Sequence, residues 1–347
     1  MKRAFPVVDA DGHILERDRD LREFLPAQFR AVPGKREYPL FSWDGWARGA
    51  LSPAQREYPS VELWLRFLDA TQIAMTVLYP NEGLNIGLQR DRDWAVALAR
   101  AYNDWLHHDF LSVNSRFKGV ALLAPQEPKE AAKELARAVR ELGMVAGMLP
   151  GVMSPMRGLG LPVFDPIYAM AEQLDVPLAV HSGPAVELGL EHVESFAGVY
   201  PLSHPFAQMQ QLTSMMIYGV FERFPKLRVA YLESGCGWVP YMADRLDESW
   251  EQRRNRWPHA GQRSPGEIMR GGNLFYACER EEKTLANVAE LIGPGQLLWA
   301  SDFPHERPWD KFSGDIDTLV NRQDLPTALP KKILFENPCR FYNLKTE

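Results

Sequence analysis

Cysteine is scarce in this chain of 347 residues. The three cysteines, Cys236, Cys278 and Cys339, are widely spaced, and no C-x-x-C pair occurs. This pattern argues against a disulfide framework and against a zinc site built from thiolates. We therefore expect the protein to work in a reduced, cytoplasmic setting.

Long apolar runs and an excess of positive charge are also missing. No stretch approaches the roughly 20 apolar residues that a bilayer-spanning helix requires. The N-terminal residues carry two charges and then enter a strand-like segment, so we expect no signal peptide and no membrane partner. The 39 Lys and Arg residues are outnumbered by 45 Asp and Glu residues, giving a net charge of −6. This balance argues against nucleic acid as a partner.

What the sequence does contain is a regular alternation of strand-like and helix-like segments. Because strands separated by helices form parallel sheets, eight such units predict a closed (β/α)8 TIM barrel. An open doubly wound sheet is the weaker alternative, since no G-x-G-x-x-G follows any strand. The predicted strands are 5–9, 73–79, 119–123, 144–149, 177–180, 227–232, 274–277 and 297–300. The predicted helices are 91–109, 128–142, 164–174, 204–224, 238–255, 282–292, 311–322 and 327–336.

One segment departs from this alternation. Residues 14–60 are too many for a simple connection, and they are rich in Pro, Arg, Trp and Gly. We interpret them as an insertion, or lid, over the barrel mouth, within a single domain that spans residues 1–347. Aromatic residues of this region are candidates to cover an apolar substrate, although such residues are more often part of a core: Phe41, Trp43, Trp46 and Trp64.

Four polar residues lie at the ends of predicted strands. Asp11 and His13 follow the first strand, His181 follows the fifth, and Asp302 follows the last. Active sites of barrels lie at the carboxyl ends of the strands, so these side chains are predicted to form a divalent metal site. Taken singly, each residue has another explanation: a D-G turn, a core histidine, or an N-cap or Asx turn for Asp302.

Several motifs then point to a known family. They are Asp9-Ala-Asp-Gly-His13, the strand ending in His181, Phe221–Ala230, Trp299–His305 and Lys332–Pro338. With these motifs the chain resembles the amidohydrolase superfamily from end to end, in particular the branch related to aminocarboxymuconate semialdehyde decarboxylase. The resemblance implies a metal-dependent decarboxylase, or a C–C or amide-type hydrolase, of a small carboxylated substrate that is aromatic or unsaturated. It also implies a homodimer or larger homo-oligomer.

Two carboxylates depart from the pattern of that superfamily. Relatives usually present His-x-His after the first strand, whereas this chain has Asp11 in place of the first histidine. A carboxylate-rich set suits manganese or iron better than a three-histidine set does, so manganese, zinc and iron all stay open. The sixth strand of many relatives ends in histidine, and here Glu233 follows it. We expect Glu233 to move a proton, although it could instead cap the following helix.

A site that holds two metal ions is the alternative to a site that holds one. Glu16, His204 and Glu233 would complete a two-metal site if they converged with the first four residues. Such a site would predict a dinuclear non-haem iron oxygenase, a hydroxylase on the same scaffold. Glu16 has the alternative of a solvated charge, and His204 that of an N-cap-like or supporting residue at the start of helix 204–224.

The remaining candidates concern the substrate and the proton. His305 is placed to orient a ligand or to assist Glu233, with a structural loop histidine as the alternative. Arg245, Arg280 and Trp238 are candidates for binding the substrate, although arginines more often form surface ion pairs. A degenerate barrel that serves as a non-catalytic partner subunit ranks last, because every expected ligand position carries a competent residue.

Overall fold

The structure, a computed structural model, describes residues 4–30, 59–305 and 314–345. Eight parallel strands form one sheet in which each strand pairs with its neighbours in sequence, from β1 to β8. This arrangement is the predicted (β/α)8 barrel. The strands are β1 (Val8–Ile14), β2 (Met75–Pro80), β3 (Phe117–Leu122), β4 (Ala146–Pro150), β5 (Leu178–His181), β6 (Val229–Leu232), β7 (Leu274–Cys278) and β8 (Leu297–Trp299).

Strand β1 and the segment that follows β8 meet and complete the ring. The backbone N–H of His13 donates to Phe303 O at 2.7 Å, and that of Asp302 donates to Asp11 O at 3.0 Å. We call this junction the seam. Two of the four candidate metal ligands therefore lie on the first strand and one lies directly across the seam from them.

Asp9 reinforces the seam from inside the barrel. Its carboxylate is fully buried and accepts hydrogen bonds from Ser301 N, Ser301 Oγ and Thr76 Oγ1, each at 2.8 Å. Burial raises the pKa of Asp9 to about 6, although the hydrogen bonds from Ser301 and Thr76 oppose the increase. This one side chain links β1 to β2 and to the chain after β8.

Helices surround the strands, which are buried on both sides. Every residue of β4 to β8 is buried, as expected where helices cover the outside of a parallel barrel. Within the described residues, no helix combines the length and apolar character needed to cross a bilayer. The helices are α1 (Asp18–Arg22), α2 (Ala27–Arg30), α3 (Val61–Thr71), α4 (Arg92–Leu106), α5 (Pro128–Leu142), α6 (Asp165–Leu174), α7 (Phe196–Ile217), α8 (Val220–Arg223), α9 (Trp238–Arg253), α10 (Pro265–Arg270), α11 (Leu285–Leu291), α12 (Asp315–Val320), α13 (Leu329–Lys331) and α14 (Asn337–Tyr342).

The predicted start of α7 is wrong. The helix begins at Phe196 rather than at His204, because Ser195 caps it and its side chain accepts a hydrogen bond from Gly198 N at 3.3 Å. Pro201 and Pro205 lie inside the helix, where proline is usually excluded. His204 is therefore a residue of the helix interior, and its interpretation as an N-cap-like residue is also wrong.

The predicted end of β1 is wrong as well. The strand extends to Ile14, because its ladder with β2 resumes after an irregularity between Asp9 and Gly12. Asp11 and His13 are therefore strand residues rather than loop residues. A Cβ atom at Gly12 would lie 2.4 Å from Trp64 Cη2, so glycine is required for this helix side chain to pack against the strand.

The predicted insertion is described in part. Helices α1 and α2 belong to it, whereas Phe41, Trp43 and Trp46 lie outside the described residues, so the lid stays a prediction. Trp64 lies on α3 and is fully buried, with its ring 4.8 Å from that of Phe303. This residue is a core residue and does not cover a substrate.

Candidate metal centre

Asp11, His13, His181 and Asp302 come together at the carboxyl end of the barrel. The first three are at most 1% exposed. His181 Nε2 lies 3.0 Å from Asp11 Oδ2, and His13 Nε2 lies 3.3 Å from Asp302 Oδ1. The structure thus assembles all four residues that the sequence predicted as metal ligands.

Backbone carbonyl groups orient both histidine rings. His13 Nδ1 lies 2.8 Å from Pro80 O, and His181 Nδ1 lies 2.6 Å from Ser182 O. A carbonyl oxygen only accepts, so each Nδ1 carries a proton, and a ring in its neutral form has its lone pair on Nε2. Burial alone would lower the pKa of His181, but Asp11 outweighs it and raises the pKa. Metal-binding histidines likewise donate one ring N–H to a carbonyl or carboxylate, which leaves the other nitrogen, here Nε2, facing the cluster.

The cluster fits a divalent metal ion. Two of its buried atoms, Asp11 Oδ1 and His13 Nε2, have no hydrogen-bond partner in the part of the chain that is described. Ligand atoms of Asp11, His13 and His181 all lie within 4.8 Å of one another. Burial, and secondarily His305, lowers the pKa of His13 to about 3, so this imidazole is neutral at pH 7. Buried acceptors that face one another are stabilised by a cation between them.

Asp302 keeps its negative charge within the cluster. Burial alone would raise the pKa of this carboxyl group, but His305 and His13 outweigh it and lower the pKa to about 2. The backbone φ of Asp302 is 52°, a left-handed value that few residues other than glycine adopt. This conformation turns the side chain toward His13, across the seam.

Glu233 joins the cluster from the end of β6. Its Oε2 atom lies 3.5 Å from His181 Nε2 and 3.9 Å from His13 Nε2. Its backbone φ is also 52°, so both carboxylates that follow strands in this site have left-handed backbones. Such strained conformations are concentrated at functional sites. The carboxylate is close enough to act either as a ligand or as a proton carrier.

His204 reaches the opposite side of Glu233 from α7. Its Nδ1 atom lies 3.6 Å from Glu233 Oε1. Burial, and secondarily the neighbouring His181, lowers the pKa of His204 to about 4, so this ring is neutral at pH 7. Of the three residues proposed for a second metal, the structure brings Glu233 and His204 together.

His305 packs against the cluster from the loop after β8. Its ring stacks on that of His13, with centroids 4.2 Å apart, and its Nδ1 lies 2.7 Å from Asp302 Oδ1. Its Nε2 lies 2.7 Å from Asn81 Oδ1. His305 is therefore held on both sides by hydrogen bonds, and its assistance to Glu233 stays a prediction.

Glu16 lies apart from the cluster. Its carboxylate accepts hydrogen bonds from the backbone N–H groups of Asn81 at 3.0 Å and Gly83 at 2.5 Å. Burial raises the pKa of Glu16 to about 7, against the effect of these hydrogen bonds. Its oxygens thus serve the backbone after β2, and Glu16 is absent from the candidate metal-ligand groups found among the described residues. The structure does not assemble the predicted two-metal set.

The three predicted substrate-binding residues have other neighbours. Arg245 lies on the exposed side of α9, where it pairs with Glu248. Arg280 pairs with Asp315 at 2.8 Å. Trp238 is 8% exposed, its Nε1 donates to Gly235 O at 2.9 Å, and its ring packs against two tyrosines. Their role in substrate binding stays a prediction without support from these contacts.

Two residues that the sequence did not predict also shape the site. Asn81 directly follows β2, and it carried the same signal as His181, a polar residue at the end of an apolar strand. Glu282 lies after β7, and its Oε1 accepts hydrogen bonds from Cys236 N at 2.8 Å and Gly237 N at 2.7 Å. The sequence places Glu282 at the start of the predicted helix 282–292, and nothing local in the sequence reveals this long-range role.

Comparisons with known proteins agree with the geometry. Gamma-resorcylate decarboxylase from Rhizobium sp. (strain MTP-10005) is 27% identical over 251 residues, which cover 70% of this chain and 76% of the relative. The 2-amino-3-carboxymuconate-6-semialdehyde decarboxylase of Dictyostelium discoideum is 25% identical over 214 residues, which cover 60% of this chain and 57% of the relative. These relatives are decarboxylases and give no support to the alternative of an iron oxygenase.

A solved structure shares the fold, and a family profile matches most of the chain. The crystal structure of dihydroxybenzoic acid decarboxylase from Polaromonas sp. JS666, with bound manganese and the inhibitor 2-nitroresorcinol, has a TM-score of 0.74. The two sequences are 20% identical, and the match covers 99% of this chain and 98% of the other. The profile of the amidohydrolase family matches residues 65–344. This chain therefore belongs to the amidohydrolase family, as its motifs predicted.

Proposed function

We propose that this protein is a metal-dependent decarboxylase of a small hydroxylated aromatic carboxylate. The observation that carries the proposal is the position of Glu233, whose Oε2 lies 3.5 Å from His181 Nε2 beside the candidate metal ligands. A carboxyl group in that position is able to deliver a proton to a substrate held at the metal. The substrate class is taken from the relatives, whose names include gamma-resorcylate and dihydroxybenzoic acid decarboxylases.

The cluster would hold one divalent ion through four protein ligands: Asp11, His13, His181 and Asp302. Manganese is the first choice, because carboxylate-rich sets suit it and the Polaromonas relative contains it. When bound, the ion would supply Lewis-acid polarisation to the carboxylate or hydroxyl oxygen of the substrate. His305 stacks on His13 and bonds Asp302, and so keeps two of the ligands in place.

Glu233 has the role of proton carrier. Loss of carbon dioxide breaks the bond between the ring carbon and the carboxyl carbon, and the electron pair left on the ring must then take up one proton. Glu233 delivers this proton to the ring carbon and is reprotonated afterwards. The new proton comes from solvent, and His204, whose Nδ1 lies 3.6 Å from Glu233 Oε1, is in position to relay it.

The test is an assay with 2,6-dihydroxybenzoate and manganese-loaded protein. We expect release of carbon dioxide and, in D₂O, one deuterium on the ring carbon that lost it. Glu233→Gln should lower kcat by 10²-fold or more, consistent with loss of a general acid–base group, while the bound manganese stays near one per chain. Glu248→Gln, an exposed carboxylate on α9, is the matched control and should keep the wild-type rate.

Two results would contradict the proposal. If no hydroxybenzoate is decarboxylated by the manganese-loaded protein, the assigned reaction is wrong. If Glu233→Gln turns over at the wild-type rate, the reaction stands but the proton carrier is another group.

Two broader expectations belong to the same proposal. A reduced, cytoplasmic setting is supported by Cys236, Cys278 and Cys339, which are all free thiols. A homo-oligomer is expected from the family resemblance, and sedimentation of the purified protein would measure its size.

A further inference from the structure

Two stacked histidine rings at the metal centre are oriented by consecutive residues of one turn. His13 Nδ1 lies 2.8 Å from Pro80 O, and His305 Nε2 lies 2.7 Å from Asn81 Oδ1. Pro80 ends β2, and Asn81 directly follows it. The two rings lie with their centroids 4.2 Å apart. The turn after β2 therefore contacts both a candidate metal ligand and the histidine that packs against it.

The side-chain amide of Asn81 has a defined orientation. Its Nδ2 atom donates to Glu82 Oε1 at 2.8 Å. Because an ionised carboxylate only accepts, the amide nitrogen faces Glu82 and the amide oxygen faces His305. This oxygen accepts a hydrogen bond from the Nε2–H group of His305. The contact fixes the rotation of the His305 ring.

The backbone of the turn is anchored by a buried carboxylate. Glu16 is 5% exposed, and it accepts hydrogen bonds from Asn81 N at 3.0 Å and from Gly83 N at 2.5 Å. Glu16 follows His13 by only three residues. The segment that carries the first two candidate ligands therefore also holds the turn that orients the histidines.

His305 connects this turn to a candidate ligand on the other side of the seam. Its Nδ1 lies 2.7 Å from Asp302 Oδ1, and its backbone N–H donates to Asp302 O at 2.8 Å. The same Oδ1 atom lies 3.3 Å from His13 Nε2. Rotation of the His305 ring would therefore remove a hydrogen bond from the Asp302 oxygen that faces the cluster.

We propose that Asn81 is a positioning residue of the metal centre. Its Oδ1 atom holds the His305 ring, and the ring in turn holds Asp302 Oδ1 in place as a metal ligand. Removal of such outer hydrogen-bond partners commonly weakens metal binding by about 10- to 100-fold. The inference rests on the metal site of the proposed function and is independent of the substrate.

The first test is a competition between a chelator and the manganese-loaded, full-length protein, which measures the affinity for manganese. Asn81→Ala should lower this affinity about tenfold or more, because His305 loses the acceptor that fixes its ring. Asn85→Ala is the matched control, because Asn85 is buried in the same 82–88 segment and its Nδ2 donates to Glu82 O at 3.3 Å. It should bind manganese like wild type, whereas a purely structural role of the segment would affect both variants.

A double variant tests whether the acceptor oxygen is the group that matters. Asn81→Asp/Glu82→Gln keeps the total charge of the pair and exchanges the donor and the acceptor between the two side chains. The side chain at position 81 still offers an oxygen to His305 Nε2. We therefore expect the affinity for manganese to return close to the wild-type value.

A second measurement detects the contact between Asn81 and His305 directly. In full-length protein with isotope-labelled histidine, the Nε2–H proton of His305 should exchange slowly with solvent by NMR, because it is hydrogen-bonded. Zinc replaces manganese in this experiment, since Zn²⁺ is diamagnetic, and loss of the signal in His305→Gln assigns it. Exchange should be fast in Asn81→Ala and slow in Asn85→Ala.

Three outcomes would overturn the inference alone. In the first, Asn81→Ala binds manganese as tightly as Asn85→Ala does. In the second, the double variant binds it as weakly as Asn81→Ala, and in the third the His305 proton still exchanges slowly in Asn81→Ala. Wild-type protein that binds no manganese would instead overturn the proposed metal site together with the inference.

Discussion

The backbone φ is 52° at both Glu233 and Asp302. Glu233 directly follows β6, Asp302 lies shortly after β8, and both carboxylates reach into the site. A side chain with a Cβ atom in this region carries strain on the order of 1 kcal/mol or more. In the proposed reaction, Glu233 carries the proton and Asp302 binds the metal ion. The strain therefore falls on residues whose placement matters more for chemistry than for stability.

Glu16 makes a pH-dependent contribution to stability. Its pKa is raised to about 7 in the folded protein from 4.5, so the contribution is fully present below about pH 4.5 and is lost as pH rises through 7. Relative to Glu16→Gln, the wild-type free energy of unfolding should therefore fall by about 3 kcal/mol over that interval. Urea unfolding at several pH values measures the difference. Glu290→Gln, an exposed control on α11, should show no such trend.

If the wild-type protein and Glu16→Gln respond to pH in parallel, Glu16 is ionised at the same pH in the folded and unfolded states. The hydrogen bonds from Asn81 N and Gly83 N would then fully offset the burial of the carboxylate.

At the scale of elements, a distant side chain anchors the segment between β6 and α9. Glu282 accepts hydrogen bonds from Cys236 N and Gly237 N through Oε1, and from Cys236 Sγ at 3.2 Å through Oε2. A Cβ atom at Gly235, whose φ is 61°, would lie 3.1 Å from Glu282 Oε1. This segment begins with Glu233, so its shape fixes where that carboxylate lies.

Glu282→Gln should loosen this segment, because an amide nitrogen cannot accept the hydrogen bond that the carboxylate accepts at Oε2. We expect the buried thiol of Cys236 to react with a thiol reagent about tenfold faster, the factor that corresponds to one lost hydrogen bond. Peptide mapping distinguishes Cys236 from Cys278 and Cys339. Glu281→Gln, at the neighbouring exposed position, should react at the wild-type rate, and equal rates for the two variants would contradict the anchoring role.

The sequence was sufficient to predict the barrel because its strands are buried on both faces and so appear as short continuous apolar runs. Helix α5 was predicted with correct boundaries, since Pro128 begins it and Gly143, with φ of 69°, follows its end. The start of helix α7 was not predicted correctly, because Pro201 and Pro205 are typical of a helix end rather than of a helix interior. Here the helix start was decided by Ser195, a local cap outside the predicted segment.

The candidate ligands were predictable for a related reason. Polar residues such as His181 and Asp302 stand out after apolar strands, and the barrel brings all strand ends to one face. The separation of Glu16 from the cluster could not be predicted, because it depends on how the backbone after β2 turns back over β1. The role of Glu282 could not be predicted either, because its partner Cys236 lies 46 residues away in the sequence.

At the scale of the whole molecule, metal binding should contribute directly to stability. An ion that binds only the folded chain stabilises it by about 2.7 kcal/mol when its concentration is 100 times Kd. We therefore expect a chelator to lower the Tm of the wild-type protein by a few degrees and added manganese to restore it. Differential scanning calorimetry measures both changes.

The control for this prediction is Asp11→Asn, which removes the charge of the carboxylate between His13 and His181 and so weakens the metal-ligand set. Its Tm should respond much less to either treatment. A chelator effect of equal size in both proteins would place the stabilising ion elsewhere in the molecule.

The seam has a further consequence, for the order in which the protein is made. The hydrogen bonds that join His13 to Phe303 and Asp302 to Asp11 connect the start of the chain to a point about 290 residues later. During synthesis the first two ligands leave the ribosome long before the last, so a nascent chain holds at most three of the four. Full metal affinity arises only once β8 closes the ring, and a C-terminally truncated product would be left without it.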